Sequence, residues 1–142
     1  MIQFALDTSI LLRWFSPYHD ADVDRSLRLR EEQQTEKIEL AVLDLTLCEL
    51  AHVLKEGNQF EHQAVDEAIS SIEYMHVTIV PYSPALARRA TQIAFEHDIS
   101  VYEAGFVALG AALRCQAVTC DRVLYQKIAN LPWTTLLGNM NI

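Results

Sequence analysis

Four acidic residues stand where their spacing could put them to chemical use: Asp7, Glu49, Glu103 and Asp121. Asp7 ends the apolar run Met1-Ile2-Gln3-Phe4-Ala5-Leu6 and is followed by Thr8, Ser9 and a new apolar stretch. The run reads as a buried strand and the stretch after it as a helix. Asp121 repeats the arrangement, closing Ala117-Val118-Thr119-Cys120 ahead of the helical Arg122-Val123-Leu124-Tyr125-Gln126-Lys127-Ile128. Glu49 and Glu103 each fall in the first turn of a predicted helix, after Thr46 and Ser100. In an open α/β sheet, groups at the carboxyl ends of parallel strands meet at the edge where ligands bind. Carboxylates held side by side repel one another, and a cation among them removes that repulsion.

The chemistry that uses such a cluster is phosphodiester hydrolysis. Hard cations such as Mg²⁺ and Mn²⁺ take oxygen ligands, usually a few carboxylates with waters and substrate phosphate. They lower the pKa of a bound water and steady a leaving oxygen, so no nucleophilic side chain is needed. The five histidines show no H-x-x-x-H or H-E-x-x-H spacing, and there is no G-x-S-x-G elbow or Gly-rich phosphate loop.

Each acid also has a plainer reading. Thr46-Leu47-Cys48-Glu49 and Ser100-Val101-Tyr102-Glu103 both match the capping box, in which a hydroxyl and a Glu three residues on satisfy helix N-terminal amides. Asp7 and Asp121 match helix N-caps, each worth about 1 kcal/mol. Capping explains any one of them. It does not predict that all four would face one sheet edge, as parallel strands would have them do, nor does it require acids in settings as apolar as Leu6-Asp7 and Cys48-Glu49-Leu50.

The elements that must position these acids alternate. Strands are expected at 2–6, Ile38–Leu43, Val77–Val80, Ala117–Cys120 and Trp133–Leu137. Helices are expected at Ser9–Phe15, Asp22–Thr35, Thr46–Lys55 (closed by Gly57), Glu61–Tyr74, from Ser83-Pro84 to His97, Val101–Arg114 and Arg122–Ala129. The pattern implies βα units and a parallel sheet covered on both faces. The Asp22–Thr35 helix, with Arg25, Arg28, Arg30, Glu31 and Glu32, reads as a solvated surface helix.

The 142 residues fit one domain with a sizeable core, and the 51% hydrophobic and 21% charged fractions are those of a soluble globular protein. No basic n-region precedes the first apolar run, so no signal peptide is expected. The longest uncharged apolar run, Ala104 to Leu113, is too short to span a bilayer. Cys48, Cys115 and Cys120 form no C-x-x-C pair, and they read as buried thiols of a cytoplasmic protein. The net charge of −8 argues against binding nucleic acid by charge alone. It leaves room for an enzyme that meets phosphate through a divalent cation.

At this point the chain resembles the PIN-domain ribonucleases, and most closely the VapC-type toxins of bacterial toxin–antitoxin pairs. Phe4-Ala5-Leu6-Asp7-Thr8-Ser9-Ile10-Leu11-Leu12 is similar to the first motif of that family. Leu45-Thr46-Leu47-Cys48-Glu49-Leu50-Ala51-His52-Val53-Leu54 is similar to the second. Tyr102-Glu103-Ala104-Gly105-Phe106-Val107-Ala108-Leu109 resembles the third, where the family usually has Asp, and Val118-Thr119-Cys120-Asp121-Arg122-Val123-Leu124 resembles the fourth. The four stand in order and span nearly the whole chain. Glu103 is the departure, being one methylene longer than Asp; Asp98 is an alternative acid, though it precedes the predicted helix.

The resemblance implies a three-layer α/β/α sandwich with a central, mainly parallel sheet, forming one domain over 1–142. It implies RNA cleavage dependent on Mg²⁺ or Mn²⁺, with Asp7, Glu49, Glu103 and Asp121 as catalytic metal ligands. Ser9 and Thr119 match positions that contact metal, water or phosphate. It further implies a homodimer silenced by a cognate antitoxin on a separate chain, with Gln63–Tyr74 serving as either core or interface. Two alternatives share the fold: a non-catalytic protein- or RNA-binding module, and a nuclease of RNA processing or DNA repair. A flavodoxin-like signalling or cofactor domain ranks last, since no phosphate loop is present.

Overall fold

A computed structural model describes residues 1–142. In chain order the elements are β1 (Ile2–Leu6), α1 (Thr8–Trp14), α2 (Ala21–Gln34), β2 (Ile38–Leu43), α3 (Asp44–Glu56), α4 (His62–Tyr74), β3 (Thr78–Val80), α5 (Pro84–His97), α6 (Val101–Leu113), β4 (Gln116–Thr119), α7 (Arg122–Ile128) and β5 (Thr134–Leu136). A short 3-10 helix, Leu137–Asn139, follows β5 and is not anticipated by the sequence pattern.

The five strands form one sheet in the order β3-β2-β1-β4-β5, and every adjacent pair is parallel. The chain builds outward from β1 to β2 and β3, then crosses back to place β4 on the other flank of β1. The strand order therefore reverses between β1 and β4, which is where an open α/β sheet offers its ligand crevice. Register brings Leu6 beside Val118, and the amide of Asp7 continues the ladder to the Val118 carbonyl at 3.0 Å. Asp7 and the segment Thr119–Asp121 thus leave neighbouring strands at one edge.

Period-two alternation sends side chains to both faces, and both faces are covered. Leu40 and Val42 join Leu6, Val118 and residues of α1 to α4 in one core cluster. Ala5, Ala41, Leu43 and Ala117 join residues of α5, α6 and α7 in the other. The result is a three-layer α/β/α fold. Ala41, Ala5 and Ala117 pair across three strands, so the sheet presents a row of methyl groups where α6 lies against it. Gly110 completes the close approach, since a Cβ there would stand 2.8 Å from the Cβ of Ala117.

Helix boundaries move by a residue or two from expectation, and one move matters. α3 begins at Asp44, directly after β2, rather than at Thr46. The strand needs no loop, because Leu43 already has the extended backbone of an N-cap, and the Asp44 carboxylate accepts from the Tyr82 amide at 3.2 Å. Gly57 does close α3, but with ordinary right-handed backbone; the left-handed residue is Gln59.

The expected surface helix α2 buries only Val23, Ser26 and Leu29. Of Gln63–Tyr74, Ala68 and Ile72 belong to the core and Tyr74 is exposed. Cys120 is buried as expected, Cys115 is half-buried, and Cys48 is exposed instead, because it lies on the outer face of α3. No helix is long and apolar enough to cross a membrane.

Candidate active site

The site is built on the β1–α1 junction. Asp7 holds the N-cap position of α1, yet its side chain makes no capping hydrogen bond to that helix. Its Oδ2 instead accepts from the Thr119 hydroxyl at 2.8 Å and the Ser9 hydroxyl at 2.9 Å. Each of those hydroxyls is itself held from behind. Thr119 Oγ1 accepts the Asp121 amide at 3.1 Å, and Ser9 Oγ accepts the Cys120 amide at 3.3 Å. Thr119 is fully buried. Ser9 and Thr119 therefore have donor and acceptor both engaged, and the contact they make is with the carboxylate of Asp7.

Asp121 behaves differently. It is exposed, and its Oδ1 accepts the Leu124 amide at 3.0 Å, a true N-cap of α7. Glu49 is half-buried on α3. The earlier start of that helix takes Glu49 out of the third helical position, so the capping box with Thr46 does not form; Thr46 is buried within the helix. Glu49 Oε2 accepts instead from the Thr8 hydroxyl at 3.1 Å, across 41 positions of sequence. Thr8 is not among the site residues expected from the sequence; its signal is a hydroxyl one residue past the N-cap, where capping gives it nothing to do.

The electrostatics join three of the acids. Burial pushes the Asp7 carboxyl above its ordinary pKa; Thr119, Ser9 and the Thr8 amide act against that, and the charge of Asp121 adds to it. Burial also raises Glu49, Thr8 opposes, and the charge of Asp7 raises it further. None of the three is ion-paired to Lys, Arg or His. Burial raises the neighbouring Cys120 thiol as well.

Glu103 makes no hydrogen bond to the other three acids. It is exposed in the first turn of α6 and forms the capping box read from the sequence: its Oε1 accepts the Ser100 amide at 2.9 Å, and its own amide donates to Ser100 Oγ at 3.0 Å. Asp98 is the exposed, left-handed cap of α5, and its carbonyl accepts from Lys127.

No three His, Cys, Asp or Glu side chains come together as a group that could hold a metal ion by themselves. The donor set is nonetheless that of a hard cation: carboxylate and hydroxyl oxygens, net negative, with no protein cation to neutralise them. It fits an ion such as Mg²⁺, which binds through one or two carboxylates and keeps much of its water. It does not fit Zn²⁺ in a closed structural site, which needs four tightly arranged ligands.

Comparison with known proteins identifies the family and the fold. The family model described as the PIN domain matches residues 4–130. Among solved structures, the Mycobacterium tuberculosis toxin VapC20, described as cleaving the sarcin–ricin loop, superposes with TM-score 0.69 at 20% identity, covering 87% of this chain and 93% of that one. A toxin–antitoxin complex from Klebsiella pneumoniae gives 0.66 at 20% identity, covering 96% and 98%. FitAcB from Neisseria gonorrhoeae gives 0.64 at 16%, covering 99% and 100%. At these identities the likeness is one of fold. No curated protein sequence matches the chain.

Proposed function

We propose, from the premise that this chain belongs to the PIN-domain family, that it is a metal-dependent endoribonuclease acting as the toxin of a toxin–antitoxin pair. One observation supports the reading above the rest. Asp7 occupies a cap position without capping, and two buffered hydroxyls hold it at the sheet's switch point beside two further carboxylates. Burial disfavours the charged form of Asp7, and a cation bound beside it would offset that cost.

Asp7, together with Glu49 or Asp121, would hold a Mg²⁺ or Mn²⁺ ion that keeps much of its water. When bound, such an ion activates water and stabilises charge on phosphate oxygens. The chain's own residues have separate tasks. Ser9 and Thr119 fix the Asp7 carboxylate by donating to one of its oxygens. Asp121 offers the oxygen that its cap leaves over, and Glu49 the one that Thr8 leaves over. Glu103 joins only through Oε2, since Oε1 caps α6.

The chain's negative charge makes a cation the natural bridge to a polyanionic substrate. Toxin–antitoxin complexes among the structural neighbours favour an antitoxin on a separate chain as partner. A homodimer in the cytoplasm completes the proposal.

The test is incubation of purified protein with structured RNA and with single-stranded DNA, in Mn²⁺ and in excess chelator. RNA cleavage that the chelator abolishes is the expected result. Metal-dependent binding without cleavage would favour the non-catalytic module, and preferential DNA cleavage would favour a repair nuclease.

A further inference from the structure

We propose that Thr8 is a positioning residue, whose hydroxyl fixes the Glu49 carboxylate in the cleft beside Asp7. The inference rests on the function proposed above and adds to it a residue that neither capping nor metal ligation requires.

Thr8 is the first residue of α1, and the N-cap position before it belongs to Asp7. A hydroxyl there has no capping task. The side chain is buried all the same, with Ile10 and Leu11 of the same helix in the core, so its hydroxyl is held by rigid surroundings. It donates to Glu49 Oε2 at 3.1 Å, the one hydrogen bond that the Glu49 side chain receives.

Glu49 needs such a hold. Its carboxylate ends a flexible side chain whose ordering costs about 1.5–2 kcal/mol. The negative charge of Asp7 opposes its presence, and no Lys or Arg attracts it inward. Without Thr8 the carboxylate would gain by swinging out to water. Three consecutive residues then divide the work: Asp7 presents a carboxylate, Ser9 reaches back to steady it, and Thr8 reaches across to α3 to steady the next.

The test uses the full chain and four variants: Thr8→Val, which keeps the shape and loses the hydroxyl; Thr8→Ser, which keeps the hydroxyl; Glu49→Gln; and the double variant Thr8→Val with Glu49→Gln. Mn²⁺ affinity is measured by calorimetry, with melting temperature alongside. Thr8→Val should weaken Mn²⁺ binding about tenfold, the lower range for loss of a partner to a metal ligand. Thr8→Ser should stay within about threefold of wild type, and Thr8→Val should add no further loss in the Glu49→Gln background.

Wild-type affinity in Thr8→Val, failure of rescue by serine, or an undiminished loss in the double variant would each overturn the proposal. A metal-free measurement keeps the two readings separate and does not depend on the variants folding. In the wild-type protein, side-chain scalar couplings of Glu49 should report one fixed rotamer. Averaged couplings there would overturn the role of Thr8, whereas fixed couplings in a protein that binds no Mn²⁺ would overturn the metal reading alone.

Discussion

Asp7 is costly to the fold as a charged group, and that gives its role a measurable sign. Its pKa in the folded chain lies above the ordinary 3.8. A raised folded pKa stabilises the protein while pH stays below the unfolded value, and that stabilisation is lost as pH rises through the folded value. Asp7→Asn should therefore melt higher than wild type at neutral pH, with the gap closing as pH falls towards 3.8. Cleavage should fall by more than about a hundredfold, beyond the range for an outer partner. Calorimetric melting across pH, with an RNA assay, checks both. An Asp7 that merely capped would show the opposite sign, because its loss would destabilise. Glu103 has its own discriminating pair. Ser100→Ala should destabilise by about 1 kcal/mol through the lost cap. Glu103→Gln keeps the acceptor and should melt close to wild type, so any drop in Mn²⁺ affinity in that variant measures the metal role of Oε2 and nothing else.

At the scale of elements, the approach of α6 to the sheet sets where the third motif sits. Gly110 lets the helix lie on the alanine row, and a methyl added there would press on Ala117 Cβ at 2.8 Å and the Cys115 carbonyl at 3.1 Å. Alanine usually gains up to about 1 kcal/mol over glycine inside a helix. Here overpacking outweighs that gain, and Gly110→Ala should lower stability by about 1–2 kcal/mol, read by urea denaturation.

The alternation of strands and helices was legible in the sequence because each strand is short, apolar and bounded by turn residues, and each helix has its own period. The start of α3 was not legible. Thr46 and Glu49 match a capping box as well as Ser100 and Glu103 do, and only the direct passage from β2 into helix at Asp44 separates the two cases. Asp7 and Asp121 were legible as strand-end acids, but their different hydrogen bonding was not. It depends on Thr119 lying across the β1–β4 junction, a neighbour that only the strand order supplies.

At the scale of the whole molecule, the negative charge and the parallel sheet bear on the same proposal: a chain of net charge −8 would meet a polyanion through a cation bound in the crevice between β1 and β4. The proposed homodimer predicts a mass by light scattering of about twice 16.1 kDa at micromolar concentration, and a clean monomer would count against it. The account stands or falls on the cation. The most direct test is a crystal structure soaked in Mn²⁺, read by anomalous scattering. The account predicts a manganese peak in the crevice between β1 and β4, in contact with the carboxylate of Asp7 and at least one of Glu49 and Asp121. A crevice without manganese at millimolar concentration, or a peak held by other residues while Asp7 keeps only its two hydroxyl partners, would contradict it.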